Sequence, residues 1–216
     1  MPNATQGSVA SLWRYPIKSM LGEELSAIEL TERGLLGDRA YALVDSADGK
    51  AATAKNPRKW PTLFGFRATF IEPPRPGASL PPVRIILPNG STVTSEQADL
   101  NQVLSRALSR TVTLNAAGRG HAKPVNAEEY WPDMEGLEHR DTVTDFTLPE
   151  GTFFDCAVVH VLTTATLDRL HQLYPQGRFE VHASVRTSWS RRPRVRRTSS
   201  RMPGLTTRSP LEILFA

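Results

Sequence analysis

The segment YPIKS at residues 15–19 carries two adjacent side chains that could hold an anion. Its proline ends the preceding strand, so Lys18 and Ser19 follow in the connection. An ammonium group beside a hydroxyl suits a phosphate or a similar anion. Taken alone, the segment has a simpler interpretation, a strand end with a solvated lysine, because most surface lysines bind nothing specific.

Two further segments offer donors of the same kind. In GLLGDR at 34–39, Arg39 follows Asp38, and a neighbouring carboxylate can orient a guanidinium that forks onto a phosphate or a carboxylate. The simpler interpretation here is a turn with a local Asp38–Arg39 ion pair. The segment TAKNP at 53–57 adds one more hydroxyl and the ammonium group of Lys55.

Short strands are predicted around these segments. Strand 9–15 mixes β-branched and aromatic residues and stops at a proline, 27–31 alternates apolar and polar residues, and 40–44 is mostly apolar and ends at an aspartate. The predicted strands are 9–15, 27–31, 40–44, 51–53, 63–71, 83–87, 91–94 and 157–162. The sequence PNG at 88–90 predicts a tight turn, and the polar stretch 116–142 is interpreted as a long loop.

Two helices are predicted from apolar side chains at helical spacing. The first has one apolar face, made by Leu100, Val103, Leu104, Ala107 and Leu108. Asp99 and Gln102 resemble a capping box at its start. The second runs from about Thr164, the expected cap, to Tyr174, and a proline ends it.

These elements predict an α+β fold that is mainly β, barrel-like, with a few packed helices. The chain has 216 residues, which suffices for one large domain or two small ones. It contains no apolar run long enough to span a membrane and no recognisable secretory signal, so we expect a cytoplasmic protein. A single cysteine excludes an intrachain disulfide and a multi-cysteine metal site.

The ordered set of segments resembles the MOSC-domain family, which is named for the C-terminal domain of molybdenum cofactor sulfurase and includes the amidoxime-reducing component. The segments at 15–19, 34–44 and 53–57 are similar, in order and spacing, to the N-terminal β-barrel region of that family. Lys55 replaces the family's usual arginine. Residues 147–167 are similar to the start of the MOSC domain proper.

The resemblance implies binding of the molybdenum cofactor, molybdopterin, a pterin that carries a phosphate and a dithiolene. By resemblance, Lys18, Ser19 and Arg39 contact this small-molecule cofactor, and we expect them to converge on one cleft. The family implies either an oxidoreductase of N-hydroxylated substrates, with an electron-transfer partner, or a sulfur carrier. It also implies a family-level association with pyridoxal phosphate. No catalytic residue is assigned.

The family holds molybdenum through a cysteine thiolate far downstream, and Cys156 does not lie at that place. Thiolate is the soft ligand that such a metal prefers. Cys156 is interpreted as a buried core residue on a strand, since free cysteine is among the most buried residue types. We therefore assign no metal ligand, and we expect the chain as written to be inactive in molybdenum redox chemistry.

The last 35 residues, 182–216, differ sharply in composition from the rest. Eight arginines and one acid give them a charge of +7, so the remainder carries −3 of the net +4. Codons consistent with 182–190, read two bases later, encode Arg-Phe-Arg-Pro-Asn-Phe-Val-Val, similar to what the family carries there. We infer a frameshift near Val181. The alternative is a basic arm that makes the chain a non-enzymatic nucleic-acid-binding protein.

Three regions are therefore predicted. Residues 8–115 form the MOSC N-terminal β-barrel region, 140–181 form the start of a truncated MOSC domain, and 182–216 form the basic tail. The fold is expected to be incomplete at its C-terminus. Membrane association is not expected, and nucleic-acid binding is expected only if the tail is a genuine arm.

Overall fold

The computed structural model describes residues 8–31, 34–117, 124–136 and 138–179. Within these ranges the chain is mostly β, with eleven short strands, two α-helices and one 3-10 turn at Leu63–Gly65. The strands are β1 (Leu12–Arg14), β2 (Glu23–Leu25), β3 (Leu30–Thr31), β4 (Gly34–Leu35), β5 (Tyr41–Asp45), β6 (Arg67–Phe70), β7 (Val83–Ile86), β8 (Thr92–Thr94), β9 (Val112–Ala116), β10 (Asn126–Trp131) and β11 (Thr142–Thr147). The helices are α1 (Leu100–Leu108) and α2 (Thr164–Leu173).

All strand pairs are antiparallel. The pairs are β1 with β2, β3 with β4, β5 with β9, and β10 with β11, and β6, β7 and β8 form a three-stranded sheet. Single bridges connect some of these units, such as Ala51 to Val44 and to Ala127. The mainly β class is confirmed, but the described strands pair as separate two- and three-stranded sheets and do not close into a barrel.

The core lies between the β6–β7–β8 sheet, α1 and the segment that follows β1. Burial of this apolar surface is the dominant favourable contribution to folding. Its fully buried large side chains include Ile17, Leu43, Leu63, Phe66, Ile85 and Leu104. A smaller cluster packs Leu148 and Phe153 against alanines of β5 and β10. This second cluster fixes the segment after β11 to the first sheets.

Helix α1 forms as predicted, with Leu100, Leu104 and Leu108 buried. The predicted capping box is wrong, because the Asp99 side chain caps no helix amide and instead accepts a hydrogen bond from Gln97. Helix α2 also forms as predicted, but its cap lies one residue earlier. The Thr163 side chain accepts from the Thr166 amide at 3.1 Å, and no residue of α2 is buried.

The long loop predicted at 116–142 is wrong in part, because β10 occupies 126–131 and pairs with β11. Strand β10 is rich in polar residues, so the sequence pattern did not predict this strand. Within β10 only Ala127 is buried, and Glu128 forms an ion pair with Lys50. The described residues contain no helix with the length and apolar character needed to cross a membrane.

The strand predicted at 157–162 does not form in the described structure. A strand needs a hydrogen-bonding neighbour, and no described segment pairs with these residues. Val158, Val159 and Val161 are exposed. The segment nevertheless lies close to β4, because a Cβ added to Gly34 would come within 2.6 Å of the Val158 carbonyl oxygen.

Candidate functional site: a cationic cluster

Backbone hydrogen bonds bring the first two predicted segments side by side. The Lys18 amide donates to the Tyr41 carbonyl at 2.8 Å, and the Tyr41 amide donates to Pro16 at 3.0 Å. The Arg39 amide donates to the Tyr15 carbonyl at 2.7 Å. The two segments therefore share one short ladder, which places Lys18 and Arg39 near each other.

The third segment reaches the same place through Ser19. The Ala54 amide donates to the Ser19 hydroxyl oxygen at 3.1 Å, and the Lys55 amide donates to the Thr53 hydroxyl oxygen at 3.2 Å. The Ala52 amide, just before this segment, donates to the Leu43 carbonyl at 2.7 Å. These contacts place the backbone of the third segment beside Ser19.

Lys18 is more buried than Arg39 or Lys55, with 5% of its side chain exposed. Its Nζ donates to the Phe153 carbonyl at 3.1 Å and forms an ion pair with Asp155. Burial lowers the pKa of the Lys18 ammonium below its usual range; Asp155 opposes the shift, and the Arg39 and Lys55 charges add to it. A lysine held this way is rigid and is sensitive to each neighbouring charge.

Arg39 is positioned by a carboxylate and two rings. Asp38 forms an ion pair with its guanidinium and also accepts from the Tyr15 amide at 2.7 Å. The Arg39 Cζ lies 5.0 Å from the centre of the Tyr15 ring and 5.4 Å from that of Phe154. Burial raises the pKa of the Asp38 carboxyl, and the adjacent Arg39 opposes that shift.

Lys55 completes the group, which we call the cationic cluster: Lys18, Arg39 and Lys55. The Lys55 Nζ lies 3.4 Å from an Asp155 oxygen and 3.7 Å from Glu129, above the Phe146 ring. Burial alone would raise the pKa of the Asp155 carboxyl, but Lys18 and Lys55 hold it below its ordinary value. One carboxylate therefore bridges two ammonium groups.

Two of the predicted site residues have a left-handed backbone. Ser19 has φ 64° and Arg39 has φ 45°. Of the other two described non-glycine residues with positive φ, Ser109 is the C-cap of α1, where this conformation is common, and Asp141 directly precedes β11. Such conformations cost free energy and are found often at functional sites.

The roles of Asp155 and of the Phe154 ring were not predicted from the sequence. Both belong to the FFD sequence at 153–155, which was used only as part of the family resemblance. Asp155 lies 137 residues from Lys18 along the chain, so no local pattern connects them. The sequence offered one local sign that Asp155 has a role at the site, namely a carboxylate directly after two aromatic residues.

The interpretation of Cys156 as a buried strand residue is wrong. Cys156 is exposed and lies in an irregular segment directly after Asp155. The strand in which it was placed does not form in the described structure, so nothing there covers its side chain. The thiol is therefore open to solvent, one residue from the carboxylate that bridges the cluster.

A cavity of about 310 Å³ opens elsewhere, between the N-terminal end of α1 and β9. Polar groups of Ser95, Gln97 and Asn101 contribute to its lining, and none of the three cofactor-binding residues predicted from sequence does. Nothing in its lining points to the chemistry of a particular ligand.

The basic tail at 182–216 lies outside the described residues. The frameshift near Val181 and the nucleic-acid alternative both depend on the tail. Both stay predictions.

Residues 6–75 match the model of a known family, the MOSC N-terminal beta barrel domain. No curated protein and no solved structure was found to match the chain. The matched range contains Lys18, Ser19, Arg39 and Lys55, so the segments that converge in the structure are those of one recognised domain. Residues 6–75 of the chain therefore form a MOSC N-terminal beta barrel domain.

Proposed function

We propose that the chain binds the molybdenum cofactor and that Lys18, Ser19 and Arg39 hold its anionic part. The observation that supports this most is the convergence of three separate segments of the family domain, two of which place an ammonium group on the Asp155 carboxylate. A buried phosphate requires several charged or hydroxyl donors from different directions. The cationic cluster and the Ser19 hydroxyl are donors of these types.

The donor set fits the cofactor in its chemistry. Two ammonium groups, those of Lys18 and Lys55, already hold one anion, the Asp155 carboxylate, in the described structure. Arg39 is held by Asp38 and two aromatic rings, so little conformational entropy is lost when it binds. When bound, the cofactor supplies a metal that changes oxidation state, while these side chains bind and orient its anionic groups.

The family resemblance implies reduction of N-hydroxylated substrates or sulfur transfer, but we infer that this chain does not perform molybdenum redox turnover. By the family resemblance, molybdenum is held by a protein thiolate, which must be fixed in a suitable geometry. The one cysteine of the sequence, Cys156, is exposed and lies in an irregular segment. An exposed thiol of this kind lacks the buried surroundings that fix a ligand.

Cofactor binding is tested by loading the purified chain and measuring the molybdenum retained after gel filtration. We expect Lys18→Met and Arg39→Gln each to reduce retention about tenfold or more, since each removes a charge-assisted contact. Lys50→Met is the matched control, because Lys50 is also paired with two carboxylates but lies outside the cluster. Equal loss in the control and the site variants would contradict the assignment.

Turnover is tested on the same loaded protein with N-hydroxylated substrates. We expect none above the level without enzyme. Turnover that survives Cys156→Ser would show that no protein thiolate is needed. Turnover that Cys156→Ser abolishes would make Cys156 the ligand and would overturn the inference of inactivity.

A further inference from the structure

The charges of the candidate site are already balanced within the chain. Asp38 pairs with Arg39, Asp155 pairs with Lys18, and Lys55 lies between Asp155 and Glu129. Three cations therefore face three carboxylates. An added anion gains little attraction from such a group unless one carboxylate leaves, because like charges in a partly buried site repel strongly.

Asp155 is the carboxylate that lies between Lys18 and Lys55, and its side chain is more exposed than those of Asp38 and Glu129. Asp38 is held by the Tyr15 amide as well as by Arg39, and 1% of its side chain is exposed. The Asp155 side chain is 33% exposed, so solvent already reaches it. Lys18 would stay behind, since its Nζ also donates to the Phe153 carbonyl.

The backbone around Asp155 also permits its movement. Phe153 and Phe154 are buried and hold the chain on one side. From Cys156 to Leu162 the residues are exposed and belong to no described strand or helix. A rotation of Asp155 therefore breaks no regular backbone hydrogen bonding on its C-terminal side.

We propose that Asp155 is a displaceable internal counterion that occupies the anion position between Lys18 and Lys55, and that a phosphate-bearing ligand binds there by driving this carboxylate into solvent. The inference rests on the proposed function. It adds that the chain's own carboxylate competes with the ligand and so sets a lower limit on how strongly an anion must bind. Weakly held anions leave Asp155 in place.

The probe is inorganic phosphate, titrated at fixed ionic strength by calorimetry into the full chain. We expect Asp155→Asn to bind phosphate about tenfold more tightly than the wild type, the factor expected when one charge-assisted hydrogen bond no longer competes. Asp145→Asn is the matched control, because Asp145 pairs with Lys50 away from the cluster. Equal tightening in this control would attribute the effect to net charge and overturn the inference.

The remaining outcomes separate the inference from the proposed function. If the wild type binds phosphate and Asp155→Asn binds no more tightly, the counterion role is wrong and the anion site stands. If neither protein binds, the anion site itself is wrong, and the inference with it. Carbodiimide labelling of the wild-type carboxylates, read by mass spectrometry at fixed ionic strength, decides if the variant does not fold: phosphate should increase labelling of Asp155 when it is displaced, and unchanged or decreased labelling overturns the inference.

Discussion

The described chain before and after Phe154 differs in how its elements are held. Among the described residues, every buried one lies between Arg14 and Phe154, including the three buried leucines of α1. After Phe154 the chain forms α2, a helix of similar length with a side-chain cap and no buried residue. One helix is fixed by tertiary packing, and the other has mainly local interactions.

The comparison of α1 with α2 shows that leucines at helical spacing predict a helix but do not predict whether that helix packs against a core. Both helices were predicted from leucines at helical spacing. In α1 those leucines enter the main core, whereas Leu173 in α2 is exposed. Helices of this length are marginal on their own in water, so most of the stability of α1 comes from packing that α2 does not receive within the described residues.

The largest expected difference between the two regions is in the free energy of unfolding lost when one leucine of each helix is truncated to alanine. Leu104 in α1 is fully buried, and Leu104→Ala should lower the free energy of unfolding by about 2–5 kcal/mol through lost burial and a cavity. Leu173→Ala in α2 should change it by less than about 0.5 kcal/mol. Urea denaturation measures the free energy of unfolding of both variants and of the wild type. Similar losses would show that α2 is packed after all.

An intermediate effect is expected from Asp45, the buried carboxylate at the end of β5. It accepts from Arg110 at 2.8 Å and from the Ala47 amide at 3.1 Å. Asp45→Asn should lower the free energy of unfolding by about 1–3 kcal/mol at neutral pH. The exposed Asp141, paired with Arg58, is the control, and Asp141→Asn should leave the midpoint unchanged.

The same substitution predicts a pH dependence. Burial opposes the shift, but the Ala47 amide and Arg110 hold the pKa of the Asp45 carboxyl below its ordinary value. A depressed folded-state pKa means that the stabilisation is present above the unfolded pKa, about 4, and is lost as the pH falls through the folded value. The difference between wild type and Asp45→Asn should therefore shrink below about pH 4. A constant difference down to pH 2 would contradict this origin.

The smallest expected effect is local to α2. Thr163→Ala removes the side-chain cap and should destabilise the helix by about 1 kcal/mol. Amide exchange in α2 should accelerate, while the global denaturation midpoint stays where it was, because no residue of α2 is buried. Thr163→Ser keeps the hydroxyl and should restore slow exchange. A shift of the global midpoint would show that α2 folds cooperatively with the rest.

Much of the N-terminal half could be predicted because its signals are local. Pro16 and Pro88 end two predicted strands within one residue of the ends of β1 and β7, and Gly90 closes the predicted turn before β8 with a hydrogen bond to Leu87. Strand β10 could not be predicted from its polar sequence. It is held by pairing with β11 and by ion pairs such as Lys50–Glu128, which join residues 78 positions apart.

The sequence by itself determined the types of the anion-binding donors, their attachment to strand ends and the resemblance of the three segments to one family domain. Tertiary structure alone decided which carboxylate balances Lys18, because Asp155 arrives from 137 residues away. It also decided that 157–162 stays irregular and that Cys156 is exposed in the described structure. Side-chain chemistry is local to each residue, whereas strand pairing, burial and charge balance depend on neighbours that the fold brings from elsewhere in the chain.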